Sequence, residues 1–115
     1  MSNTGRVKPP PHKTHHITMK YFNYNGTKVR LQAEQYMNSG TLAVAMYTQD
    51  NELYDVITTN LMDRMQSDSM AFLDENNHYG IGKWLEKNKL ALPMNVTRRS
   101  GFCTYPLYTI FTSKF

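Results

Sequence analysis

Apolar residues fall at every second position over residues 27–34, where Val29, Leu31 and Ala33 alternate with Lys28, Arg30, Gln32 and Glu34. That period sets one row against a core and the other in water, the pattern of a half-buried strand. Asn25-Gly26 stands before it, and residues 19–24, Met-Lys-Tyr-Phe-Asn-Tyr, stand before that. Asn-Gly suits the type I′ turn, whose two central residues need positive φ, so 19–24 and 27–34 are expected to pair as a hairpin. Met37-Asn38-Ser39-Gly40 reads as a turn. Residues 41–48 are nearly continuously apolar, which predicts a central strand buried on both faces. A polar turn, Gln49-Asp50-Asn51-Glu52, leads to a fourth strand over 53–59. Strands joined by such short turns predict an antiparallel meander.

Beyond residue 59 the pattern changes. Thr59 or Asn60 is placed to cap a short helical turn through Leu61, Met62, Arg64 and Met65. Ser67-Asp68-Ser69 interrupts it, Met70-Ala71-Phe72-Leu73 reads as buried, and Asp74-Glu75-Asn76-Asn77-His78 is a dense polar loop. Residues 79–90 form the main predicted helix, with Ile81, Trp84 and Leu85 on one face and Lys87 and Lys89 near its C-terminal, negative end. Gly80 and Gly82 weaken its start, and Pro93 is expected to close it. After Asn95-Val96-Thr97 comes Arg98-Arg99-Ser100-Gly101-Phe102-Cys103, read as a turn, and then a fifth strand over 105–112. Pro106 cannot donate to a ladder, which assigns that strand to a sheet edge or a strand start. The expected fold is α+β: an antiparallel sheet of about five strands, packed with one main helix and a short helical turn.

Composition adds limits. With 115 residues there is room for one core, and a domain that small is marginally stable. Residues 1–18 hold Pro9-Pro10-Pro11, the cations Arg6, Lys8 and Lys13, three histidines and little aliphatic surface, so they read as a disordered basic tail ahead of a domain spanning 19–115. His12, His15 and His16 lack the carboxylate or cysteine that would complete a metal set, and no cofactor is expected. A single cysteine leaves no internal disulfide. No apolar run is long enough to span a bilayer, and no signal sequence is read, so the cytoplasm is the expected location. The net charge of +4 is unevenly spread. Residues 1–30 carry cations and no acid, all nine acids lie between Glu34 and Glu86, and Arg98, Arg99 and Lys114 follow. That asymmetry suits an acidic partner or a nucleic acid, and a +4 chain is a poor DNA mimic.

Candidate chemistry gathers near the end of the chain. Arg98 and Arg99 can grip carboxylate or phosphate through bidentate forks, and Phe102 and Tyr105 can stack on a base or anchor in a protein groove. Asn76 and Asn77 offer polar contacts from the 74–78 loop, which lacks the alternating acids and central Gly of a calcium loop. Asp and Asn there also serve simply to bond nearby backbone amides. Cys103 as a nucleophile would need His78 as its base, and the sequence does not place them together. A packed thiol is the simpler reading.

Three segments together resemble a known family: Tyr36-Met37-Asn38-Ser39-Gly40-Thr41-Leu42-Ala43-Val44, Ala71-Phe72-Leu73-Asp74-Glu75-Asn76-Asn77, and Arg99-Ser100-Gly101-Phe102-Cys103-Thr104-Tyr105-Pro106-Leu107-Tyr108. The family is one of small proteins known only as a domain of unknown function, carried on phages and conjugative elements of gut-type bacteria. The likeness covers nearly all of residues 19–108 and departs at the basic leader. It brings no catalytic residue. What it implies is context: a non-catalytic accessory protein that binds and inhibits a host defence system, such as an anti-CRISPR, with a defence protein or ribonucleoprotein as partner. The alternative is a nucleic-acid- or nucleotide-binding module using the same basic and aromatic surface.

Overall fold

The computed structural model describes residues 19–115; the expected basic tail of residues 1–18, with His12, His15 and His16, lies outside the described residues. The first hairpin forms as its alternation predicts. Strand β1 (Phe22–Tyr24) pairs antiparallel with β2 (Thr27–Gln35) across a turn in which Asn25 and Gly26 take φ 51° and 88°. Strand β3 (Leu42–Thr48) pairs with β2, and β4 (Leu53–Val56) with β3, which completes a four-stranded meander.

The meander does not continue into one five-stranded sheet. At Ile57 the chain changes sheets: its N–H donates to Val44 O at 3.0 Å in β3, and its carbonyl accepts from Asp74 N–H at 2.9 Å. Strand β5 (Thr58–Thr59) then opens a second four-stranded antiparallel sheet with β6 (Met70–Leu73), β7 (Ala91–Ser100) and β8 (Cys103–Ile110), in the order β5-β6-β8-β7. Eight strands in two sheets therefore replace the expected five. Helix α1 (Ile81–Lys87) and a 3-10 turn over Thr112–Lys114 complete the described elements, in keeping with an α+β class. Val29, Leu31, Val44 and Met46 from the first sheet, Ala71, Leu73, Tyr108 and Ile110 from the second, and Ile81 and Leu85 from α1 share one buried cluster.

Four local expectations are corrected. The helical turn near residue 62 is instead a loop with a single reverse turn, because Met62 takes φ 59° and side chains claim the backbone donors. Gln66 Oε1 accepts from Leu61 N–H at 2.8 Å, and Asp63 Oδ1 from Met65 N–H at 2.8 Å. The helix is seven residues long: left-handed Gly80 (φ 84°) and Lys89 (φ 62°) bound it, not Pro93, which lies in β7. Glu75 stabilises its start, accepting from Gly80 N–H at 2.9 Å and Gly82 N–H at 2.6 Å. Gly82 is required by a close approach, since a Cβ there would meet Tyr108 Cζ at 2.7 Å and Glu75 Oε2 at 2.9 Å.

The fourth correction concerns the last strand, which is interior; β7 is the edge. Ile110 N–H donates to Ser69 O at 2.8 Å, which sets the alternation of the β6–β8 ladder: Tyr108 turns its backbone groups toward β6, and Pro106 would be next. Having no N–H, Pro106 cannot continue the ladder, and β6 pairing stops at Phe72↔Leu107. The sequence argument from proline identified the missing donor and its strand correctly but placed the whole strand at a sheet edge, whereas β8 is interior and is uncovered beside Pro106 only where β6 has ended.

Candidate functional site

Arg98 and Arg99 lie in strand β7, and Gly101-Phe102 form the two-residue turn that joins it to β8. Gly101 has φ 63° while Phe102 stays out of the left-handed region, the type II′ arrangement that calls for glycine in first place. Ser100 pairs with Cys103, Arg99 with Thr104, Arg98 with Tyr105 and Thr97 with Pro106. Successive strand residues point to opposite faces, so the two adjacent arginines diverge. Arg98 shares a face with Tyr105 and Cys103, and Arg99 shares the other with Thr104. The bidentate clamp imagined for the pair is not assembled by this geometry.

The two cations also differ in company. Arg98 Nε donates to Asp63 Oδ2 at 2.9 Å, one terminal nitrogen to Thr97 O at 3.1 Å, and the other lies 3.2 Å from Met65 Sδ. This side chain pins the 60–66 loop to the hairpin. Asp63 is held below the usual aspartate value of 3.8, first by the Met65 N–H and then by Arg98. Arg99, among the described residues, makes no side-chain hydrogen bond or ion pair and is exposed.

Phe102 sits at the apex with its whole side chain in solvent, 100% exposed, whereas Tyr105 is half-buried. Burial, then the neighbouring Cys103 thiol, raises the Tyr105 phenol above its ordinary value. Asn76 reaches the hairpin: its Nδ2 donates to Thr104 O at 3.4 Å, on the side of β8 that β6 has left uncovered. Asn77 is tied to its own loop by a 2.9 Å bond to Asp74 Oδ2. The structure thus brings Arg98, Arg99, Phe102, Tyr105 and Asn76 to one hairpin and leaves Asn77 beside it. Sequence reasoning did not single out Asp63 or Met65, because a partner thirty-odd residues away along a loop leaves no local signal.

The chain matches a family described as a domain of unknown function, DUF4313, over residues 30–115. The chain belongs to that family. No curated protein and no solved structure matches it. The DUF4313 match takes in the 74–78 loop, α1 and the whole β7–β8 hairpin, and leaves out β1 and the start of β2. In this DUF4313 chain His78 Nε2 is 3.3 Å from Asp55 Oδ2 in β4, and among the described residues no hydrogen bond joins it to Cys103. No group of three metal-ligating side chains occurs among the described residues, and no helix there is long and apolar enough to cross a membrane.

Proposed function

We propose that this protein works by binding, without catalysis of its own, and that the β7–β8 tip engages a host defence protein or ribonucleoprotein and inhibits it, as an anti-CRISPR would. The observation that carries the reading is Phe102: a fully exposed aromatic ring on a tight, register-fixed turn, with the exposed Arg99, which has no side-chain partner among the described residues, beside it. An apolar ring held in water costs solvation free energy that docking into a pocket recovers, and aromatic and arginine side chains dominate binding hot spots. The inhibitory context and carriage on a mobile element rest on the sequence resemblance. Nucleic acid fits the tip less well. Arg98 is already neutralised by Asp63, which among the described residues leaves Arg99 as the one free cation at the tip, whereas phosphate binding draws on several.

The test is protection in cells. Bacteria carrying individual defence systems, CRISPR types among them, are challenged with a targeted phage or plasmid while expressing the protein. The expected result is loss of immunity against one system, abolished by Phe102→Ser and by Arg99→Glu, with both variants folded by circular dichroism. Undiminished protection by both variants would overturn the site, and protection against none of the systems would overturn the inhibitory role.

A further inference from the structure

We propose that the free edge of β7 at Thr97–Ser100 accepts an extended acidic segment of the partner as an added strand, and that Arg98 is the latch over that edge. The inference rests on the hairpin-tip reading above and specifies how the tip is engaged.

The ladder shows which groups are available. Ser100 and Cys103 close a two-residue turn and so exchange both backbone bonds; alternation then makes Arg98↔Tyr105 the next bonded pair. Thr97 and Arg99 stand opposite Pro106 and Thr104 in the unbonded positions, so their N–H and carbonyl groups point outward from the sheet. Two observations agree with this assignment: Pro106 has no N–H to offer, and Thr104 O faces away from β7 to meet Asn76. The rest of the edge is blunted. Pro93 removes a donor, and the register slips between Pro93 and Thr97 around Asn95, whose φ is 59°. Only the distal end therefore presents a regular pair of outward-facing residues, next to Phe102.

One of those groups is covered. The Arg98 guanidinium donates to Thr97 O at 3.1 Å while Asp63 holds it from the other side. A carboxylate on an incoming strand can take the place of Asp63, draw the guanidinium away, and leave Thr97 O to accept a strand N–H. Charge complementarity selects an acidic segment: Arg98 and Arg99 are the charged residues of the Thr97–Ser100 stretch, and no Asp or Glu occurs in β7 or β8.

The test uses the full chain, isotope-labelled for amide NMR, and a blocked hexapeptide of alternating Glu and Val. The expected result is a salt-sensitive shift of the Thr97 and Arg99 amides, absent with the Lys/Val counterpart and absent when the peptide's edge-facing amides are N-methylated. Asp63→Asn, which frees the latch without altering β7, should tighten binding about two- to fivefold, the worth of one surface ion pair. Equal affinity of the Asp63→Asn and parent proteins overturns the latch. Equal binding of the Lys/Val or N-methylated peptide overturns strand addition. The same amides shifted by an oligothymidylate alone would assign the edge to nucleic acid, and concentration-dependent shifts without any peptide would assign it to a second copy; either overturns the proposal. If the peptide arms fail while Phe102→Ser still abolishes protection in cells, the tip remains the site and strand addition is wrong; if Phe102→Ser protects fully, the site itself falls.

Discussion

In the meander, the face of β2 and β3 turned away from the core is covered by its own side chains. Arg30 lies over the Tyr47 ring at 4.5 Å and donates to Gln32 at 2.8 Å; Gln32 donates to Glu34 at 2.8 Å, and Tyr47 to the same carboxylate at 2.7 Å. Beneath this interlocked layer Ala43 and Ala45 are buried, so β3 is closed on both faces. The β7–β8 hairpin is built the other way. Most of β7 is exposed, Leu92 and Met94 among it, and a single arginine ties the free edge to the 60–66 loop. Both regions are antiparallel and rich in aromatic residues. What separates them is whether polar side chains bond to one another or are left facing solvent, and the binding proposed for the hairpin draws on that difference.

The contrast breaks most severely at Phe72. It is fully buried and pairs with Leu107, so it faces the side of the second sheet where Arg98 reaches the 60–66 loop. Phe72→Ala should cost about 3–5 kcal/mol, a large part of a small domain's stability, and denaturant unfolding should show both sheets lost together. A separate transition that spares the meander would show that the sheets do not share one cooperative core.

Next in size is the seam between α1 and β8. Tyr108 donates to Glu86 at 2.6 Å, and its phenol lies against Gly82. Alanine is intrinsically the better helix residue by roughly 1 kcal/mol, yet the overlap of its Cβ with the phenol should make Gly82→Ala destabilising by about 1–3 kcal/mol. Tyr108→Phe, which leaves Glu86 without that donor, should cost roughly 1.5–3 kcal/mol. The pair should not add: with the hydroxyl gone, part of the Gly82→Ala penalty disappears, and a double-mutant cycle that returned simple additivity would refute the contact. Burial, then the Glu86 bond, raises the Tyr108 pKa, so its contribution is full below the unfolded value of 10.0 and fades as pH climbs through the folded one. The alkaline loss of stability should accordingly be shallower in Tyr108→Phe.

These seams explain what the sequence could and could not reveal. The meander was legible because its information is local: Asn25-Gly26 fixes a turn and Val29-Leu31-Ala33 fixes a face. The second sheet was not. Strand β7 carries Leu92, Pro93, Asn95 and two arginines, no period 2, and a slipped register, because an exposed edge has no buried row to keep in step. Met70-Ala71-Phe72-Leu73 is short and buried, which periodicity alone cannot assign to strand or helix. Of the site, the residue types were visible in Arg98, Arg99 and Phe102. Their division between two faces was hidden until β7 was known to be a strand.

The smallest expected effect is also the most selective. Asp63 titrates below 3.8 in the folded protein, so the stability it lends is present above the unfolded value and is lost as pH falls through the folded one. Acidification should therefore loosen the 60–66 loop from β7, and proteolysis within that loop should quicken relative to the parent at neutral pH. The carboxyl resonance of Asp63, followed by NMR, should show a midpoint below 3.8. Because the Met65 N–H is the larger cause and Arg98 the lesser, Arg98→Ala should move that midpoint up only part of the way. Full recovery to 3.8 in Arg98→Ala would mean that the arginine alone holds the carboxylate; a parent midpoint at 3.8 or above would mean that the loop is not clipped to the hairpin at all.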